Sequence, residues 1–319
     1  MIALALAGVL AVVVLAALAE LAQVLLARAP AEMHCVRLGP PAPDTAAATI
    51  PRIIWTYWDT TPPPMIIERC LANWRRFAPD HEIRLLDHAS AARWLPDARV
   101  AQSWQALPPY RQADWLRLQL LQAHGGIWMD GSTLLGADLA WVHREHAALG
   151  RGLVGFYIER YTTEPAQPML ENWFLAAPAG DAFIAAWIVE FDRALALGEA
   201  GYVEALRAAG DLKGAAQAIP DEMRAYLVMH LAGGIVARRE HGRHRMALLR
   251  AEDAAFAFHA ALRWRKRHLY ARLALTPAPR RVPALLKLRG GDRRVVERGL
   301  ARGLWWRGSL LAHLLELER

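Results

Sequence analysis

Cysteine and lysine are the scarce residues of this 319-residue chain. Two cysteines, Cys35 and Cys70, cannot build a disulfide framework, and their spacing matches no metal-binding pattern. Only three of the 38 basic residues are lysine, namely Lys213, Lys266 and Lys287. Internal repeats and low-complexity tracts are absent. Charged residues make up 22% and hydrophobic residues 55%, which excludes disordered, collagen-like and coiled-coil classes. The net charge of +7 comes with no nucleic-acid-binding motif, so no nucleic-acid partner is expected.

The first feature present is a long apolar run. Residues 2–27 are apolar except for Glu20 and Gln23. As a helix they reach about 39 Å at about 1.5 Å per residue, enough to cross a bilayer core of about 30 Å. Glu20 lies near one end, where a carboxyl can reach the interface. The rival reading is a cleaved signal peptide and an exported protein, because Ala17-Leu18-Ala19 resembles a small-residue cleavage site. The lack of Lys or Arg ahead of the run, and its continuation past that site, favour an uncleaved single-pass anchor over residues 1–28. The first cations, Arg28 and Arg37, follow the span and place the body of the protein in the cytoplasm.

Residues 29–50 are rich in Pro and Ala without a period and read as a linker. From Pro51 short apolar runs alternate with amphipathic segments, the pattern of an α/β sheet flanked by helices. Strands are expected at 52–57, 82–86, 127–130, 152–158 and 172–176. Helices are expected at 65–77, 110–124, 182–197, 203–209 and 221–231. The strand–helix order up to Asp130 predicts a largely parallel sheet, and ligands bind such sheets at the carboxyl ends of strands. Asp59, Asp87 and Asp130 each follow such an end, although Asp87 serves equally well as the N-cap of the turn that begins at His88.

The most informative stretch is 111–132, RQADWLRLQLLQAHGGIWMDGS. Asp114 and Arg117 lie three apart and share a helix face. Gly125-Gly126 stops that helix, and a short strand delivers Asp130 into the small-residue turn Gly131-Ser132. A carboxylate beside glycine at a strand end lets a bulky anionic ligand approach with a hard cation between them.

This segment resembles the D-x-x-R-x-x-x-L-x-x-x-G-G-x-[YW]-x-D-x-[DST] core of the capsular polysaccharide synthesis proteins, relatives of the family 32 glycosyltransferases with a sugar-binding DXD motif. Residues 51–58 with Pro62-Pro63-Pro64, then Trp74, Leu85-Leu86-Asp87 and Glu171-Asn172-Trp173-Phe174 are similar to other pieces of that family. Weaker echoes fall at 226–230 and 285–288, so the resemblance covers roughly residues 51–290.

The resemblance implies a GT-A-like, Rossmann-type single domain over 51–290 that takes a sugar from a nucleotide-sugar. It implies a divalent cation, Mn²⁺ or Mg²⁺, held at Asp130 on the donor diphosphate, where a Lewis acid stabilises the leaving group. Asp114 and Arg117 occupy positions that contact donor sugar and ribose, and Trp58 occupies that of an aromatic residue under the nucleotide base. Asp87, Gly126, Asn172 and Trp173 complete the expected donor wall, with Glu171 facing the acceptor or the reacting sugar carbon. The second acidic position of the motif is Ser132, a hydroxyl in place of a charge. His259 is a candidate for a further metal ligand.

The same resemblance implies retention of anomeric configuration; taken with the apolar span it leads to the expectation of a glycan or lipid-linked acceptor and work at a bacterial inner membrane. Ser132 also motivates an alternative, a catalytically inactive scaffold that binds a nucleotide-sugar or glycan. Residues 291–319 carry apolar and arginine positions that fit an amphipathic helix, lying on an anionic membrane surface or packed on the catalytic domain.

Overall fold

The computed structural model describes residues 2–41, 48–94, 104–212 and 218–318. Within these the chain divides into two compact units. One comprises Met33–Thr133 with Asp138–Ala251; the other comprises Met1–Glu32, Leu134–Ala137 and Glu252–Arg319. The expected single domain over 51–290 is thus divided, each unit being assembled from separate stretches of chain.

The first unit holds a seven-stranded sheet. Its strands are β1 (Cys35–Leu38), β2 (Ile53–Tyr57), β3 (Glu82–Leu86), β4 (Gly126–Met129), β6 (Leu153–Tyr157), β7 (Leu170–Ala177) and β8 (Met246–Arg250), in the order β1-β8-β6-β7-β4-β2-β3. Strand β2 pairs in parallel with β3 and β4, and β6 in parallel with β8. Strand β7 runs antiparallel between β4 and β6, and β1 antiparallel along β8. Five of the seven strands therefore point the same way, giving the mostly parallel, helix-flanked sheet that the sequence pattern predicts.

Helix α2 (Met65–Phe77) forms because Ile66, Ile67, Cys70, Leu71 and Trp74 recur on one face, all buried. Each Ile or Leu so buried contributes on the order of 1.5–3 kcal/mol. The indole of Trp74 donates to the Thr133 carbonyl at 2.7 Å, which lets a large polar-edged ring sit in the core. Helix α3 (His88–Ala91) is one turn, and α4 (Pro109–His124) opens with proline at its first turn and closes at Gly125. Gly125 has φ +64°, and a side chain there would put its Cβ 2.6 Å from the Ala179 nitrogen, so glycine is required on both counts. Helices α5 (Ala140–Leu149), α6 (Ala182–Leu197) and α7 (Glu199–Ala208) follow.

Two expectations change within this unit. The linker read over 29–50 contains β1, which pairs residue for residue with β8 from Cys35↔Leu249 to Leu38↔Met246; residues 42–47 of that stretch lie outside the described residues. The single helix read over 221–231 is two, α8 (Asp221–Arg224) and α9 (Val228–Arg239).

The second unit contains α1 (Ile2–Leu26), a two-stranded ribbon of β5 (Thr133–Leu135) with β9 (Leu285–Lys287), and helices α10 (Ala257–Ala261), α11 (Lys266–Tyr270), α12 (Gly290–Ala301) and α13 (Leu310–Leu315). The continuous amphipathic helix read over 291–319 is corrected to α12 and α13. Gly303 has φ +65° between them, and Ser309 caps α13 through its hydroxyl on Ala312 N. Leu310, Leu311, Leu314 and Leu315 of α13 are buried, so the apolar face of that helix packs within the protein.

Candidate active site

The carboxyl ends of β2, β3 and β4 are followed by Trp58, Asp87 and Asp130, and the antiparallel β7 brings its first residues, Glu171 and Asn172, to the same edge. The backbone joins these pieces directly. Trp58 N donates to Leu86 O, and Asp130 N donates to Trp173 O, both at 2.9 Å. Gly131 packs beneath Trp58, where an added Cβ would lie 3.7 Å from the indole and 3.3 Å from Ile67. The turn after β4 is thus pressed against the half-buried Trp58 ring.

Behind Asp130 stands a buried ionic cluster on α4. The Asp114 carboxylate accepts from Arg111 at 2.7 Å and from Asn172 Nδ2 at 3.0 Å, and pairs with Arg117 at 3.1 Å. Arg117 also donates to Ala113 O at 3.1 Å and to Asn172 O, and its Nη2 lies 3.4 Å from Asp130 Oδ1. Trp128 Nε1 donates to the same Asp130 oxygen at 3.0 Å. The Arg117 guanidinium lies 5.0 Å from the Trp128 ring centre.

The outcome is graded burial. The side chains of Arg117 and Asp114 are 4% and 9% exposed, whereas that of Asp130 is 29% exposed. Asp114 and Arg117 spend their hydrogen-bonding groups on one another, on Arg111 and Ala113 of the same helix and on β7, so in this arrangement they position Asp130 and Asn172. Asp130 is the carboxylate turned toward solvent.

Arg111 was not singled out by the sequence reading, yet it is the keystone of the cluster. Its Nη2 donates to Ala225 O and Tyr226 O at 2.9 Å each, and its Nε to Glu199 at 2.8 Å. The break between α8 and α9 frees those two carbonyls for the guanidinium. The available signal was its own spacing, Arg111 three residues before Asp114. His230 was also missed: its Nε2 lies 3.7 Å from Glu171 Oε2 at the mouth of β7, and its Nδ1 is buried with no hydrogen-bond partner among the described residues.

The other expected residues divide. Asp87 caps α3 in a reciprocal box with Ser90, accepting from Ser90 N at 2.7 Å and Ser90 Oγ at 2.6 Å, and it accepts from Thr61 at 2.9 Å. The Ser90 hydroxyl first, then its backbone N–H and Thr61, lower the Asp87 carboxyl to about 2. Tyr57, whose hydroxyl donates to Gln112, is pushed up to about 12 by burial and by the charges of Asp59 and Asp87. Trp173 reaches the edge through its carbonyl while its ring stacks on Phe156 at 4.9 Å in the core.

Gly126 is not brought to the site. It begins β4, four residues and about 13 Å of extended strand from Asp130, and its φ of +105° with Ile53 O close by explains the glycine. His259 belongs to the second unit, 1% exposed, with Nε2 3.0 Å from Asp292 Oδ2, and burial pushes it toward the neutral form.

As a cation site the edge offers two oxygen donors on one turn, the Asp130 carboxylate and the Ser132 hydroxyl. No group of three His, Cys, Asp or Glu side chains suited to a metal occurs among the described residues. That donor set fits a Mg²⁺-like ion that keeps waters and takes the rest of its shell from phosphate oxygens. It does not fit an ion held wholly by protein.

Residues 42–189 match the family model described as capsular polysaccharide synthesis protein. Over that stretch, which is less than half of the chain, the sequence is similar to the capsular polysaccharide synthesis proteins. The stretch contains the whole Asp114–Arg117–Asp130 cluster and the start of β7. An O-glycosyltransferase, braB, of Annulohypoxylon truncatum is 30% identical over 159 residues, which is 44% of this chain and 37% of that protein. The chain thus matches little more than a third of the length of this curated relative. Among solved structures, PaToxG glycosyltransferase covers 81% of this chain and 88% of its own, at 15% identity and a TM-score of 0.36.

Proposed function

We propose that this protein is a glycosyltransferase of capsular or cell-surface polysaccharide synthesis, moving a sugar from a nucleotide-sugar donor to a glycan or lipid-linked acceptor. The observation that carries this reading is Asp130, held at the carboxyl edge of a mostly parallel sheet by a buried arginine and an indole N–H, with its carboxylate partly open to solvent. In this reading the donor diphosphate lies over the Asp130–Ser132 turn and the base over Trp58. Asp130 and Ser132 would hold the divalent cation, Mn²⁺ or Mg²⁺, whose chemistry is to neutralise charge on the departing diphosphate.

The residues of the chain then have separate tasks. Arg117 fixes Asp130 and, through Asn172, the start of β7. Asp114 holds Arg117 in place by accepting from it and from Arg111. Glu171, with His230 3.7 Å away, is the carboxylate assigned to the acceptor hydroxyl or the sugar carbon, and the family 32 resemblance favours retention of configuration. Helix α1 is long enough to cross a bilayer and includes the strongly apolar stretch Gly8–Leu26, of mean hydropathy 2.5. We read it as an anchor that leaves the body of the protein in the cytoplasm, a cleaved signal sequence being the other use of such a helix.

The test is turnover. Purified full-length protein with Mn²⁺ and a panel of UDP- and GDP-sugars should release nucleotide from one donor, and Asp130→Asn should reduce that release by roughly 10²–10³ without unfolding the protein. Undiminished release from Asp130→Asn would contradict the assignment. Ser132 supports the second reading, a scaffold that binds donor without turning it over. Tight donor binding with no release across the panel is its signature.

A further inference from the structure

Positive charge is unevenly distributed along this chain. Residues 261–319 hold 15 basic and 4 acidic side chains, a net of +11, whereas residues 1–260 hold 23 basic and 27 acidic, a net of −4. Such an asymmetry points to an anionic partner for one part of the molecule. Arg28, Arg265, Arg302 and Arg307 are all exposed within the second unit.

The same unit gathers apolar side chains at the base of α1. Leu275, Leu304 and Trp306 are each about half exposed, at 49%, 52% and 48%. Hydrogen bonds hold them close together. Trp306 N donates to Ala274 O at 2.8 Å, Ala278 N to Gly308 O at 2.9 Å, and Tyr270 OH to Leu304 O. Arg272 ties this patch to the helix, donating to Ala27 O at 3.0 Å and to Pro277 O at 2.9 Å.

The position of the patch along α1 identifies what it meets. The large side chains of α1 are exposed at Leu6, Val9, Leu10, Val13–Leu15 and Leu18, and on one side of its last turns at Leu21, Leu25 and Leu26, each at least 48% exposed. Among the described residues the first polar contact of α1 with the rest of its unit is Glu20, paired with Arg265 at 2.7 Å, followed by Gln23, which donates to Ala261 O, and the buried Val24 and Ala27. Residues 2–19 span about 27 Å as helix, close to the thickness of a bilayer core of about 30 Å. Glu20 then falls at the membrane surface, and Ala27, with the Leu275–Trp306 patch beside it, in the headgroup layer. Tryptophan with an apolar body and a polar N–H favours that layer. Arginines nearby meet anionic headgroups there.

We propose that the second unit docks on an anionic lipid bilayer through a face at the base of α1, with Leu275, Leu304 and Trp306 entering the headgroup layer and Arg28, Arg302 and Arg307 meeting lipid phosphates. The proposal rests on α1 lying in the membrane and is independent of the chemistry at Asp130.

The experiment uses full-length protein reconstituted into phosphatidylcholine vesicles with or without phosphatidylglycerol, carrying a polarity-sensitive fluorophore on an introduced cysteine. Cys35→Ser removes the one partly exposed thiol, and Cys70 is buried. Labels go at Leu275→Cys and Leu304→Cys, at Leu18→Cys as the anchor control, and at Val189→Cys, a position 71% exposed in the sheet unit, as the aqueous control. Expected are quenching by a headgroup-level nitroxide lipid and a blue-shifted emission at 275 and 304, stronger with phosphatidylglycerol, and neither at 189. Arg302→Glu with Arg307→Glu should remove the phosphatidylglycerol dependence. Labels at 275 and 304 that behave like the one at 189, while Leu18→Cys is quenched, would overturn the docking face and leave the anchor standing. An unquenched Leu18→Cys would overturn the anchor and the face together.

Discussion

The two units of this protein treat charge in opposite ways. In the sheet unit the important ions face inward: Arg111, Asp114 and Arg117 are buried and answer one another, and only Asp130 is released toward solvent. In the second unit Arg28, Arg265, Arg302 and Arg307 face outward beside half-exposed Leu304 and Trp306. Buried ions fix geometry at a cost in desolvation, whereas exposed ions act at longer range on whatever surface approaches. The first arrangement suits a site that must hold one carboxylate in place. The second suits a surface that must meet many headgroups.

Breaking the inward set should have the largest effect on the fold. Asp114→Ala leaves two buried guanidinium groups without their shared carboxylate and should cost about 3–5 kcal/mol, read from denaturant unfolding of the purified protein. A loss within about 0.5 kcal/mol of wild type would mean that the cluster is not structural. Asp130→Asn sharpens the contrast: it should reduce turnover by roughly 10²–10³ while changing stability by less than about 1 kcal/mol. Equal damage to turnover and stability would place Asp130 among the structural ions.

Smaller effects test the scaffold around the site. Gly125→Ala should destabilise by about 1–3 kcal/mol, because φ +64° and the 2.6 Å approach to Ala179 N both oppose a side chain. An unchanged unfolding midpoint would refute that reading of the turn. Ser90→Ala removes half of the capping box on α3 and should cost about 0.5–2 kcal/mol at neutral pH. The Asp87 carboxyl is lowered from 3.8 to about 2, so its stabilisation is present above pH 4 and fades as pH falls through about 2. The Ser90→Ala difference should shrink over that acid window, and a difference that grows on acidification would contradict the sign.

Much of the sheet unit could be read from local pattern. Helix α2, strand β3 and helix α6 fall on the predicted residues because Pro64, Asp87 and Gly198 punctuate strongly periodic runs. The Asp114, Arg117 and Asp130 constellation was legible for the same reason, being carried by one helix, one Gly-Gly stop and one strand. What could not be read depends on distant partners. Strand β1 is four mixed residues, Cys35-Val-Arg-Leu38, whose strand character comes from pairing with β8 more than 200 residues later. His259 read as a candidate ligand because Asp292, its actual partner, lies 33 residues away on another helix. Arg111 reaches carbonyls opened by a helix break that no local spacing announces.

Whether Asp130 sits under a nucleotide-sugar diphosphate is decided by calorimetry of the full-length protein against UDP- and GDP-sugars with Mn²⁺ or Mg²⁺ present and absent. One donor should bind with the cation, and Asp130→Asn should weaken this binding at least about tenfold, or about 1.4 kcal/mol, with the fold intact. Donor affinity that is the same in wild type and Asp130→Asn, cation or no cation, would contradict that placement of Asp130.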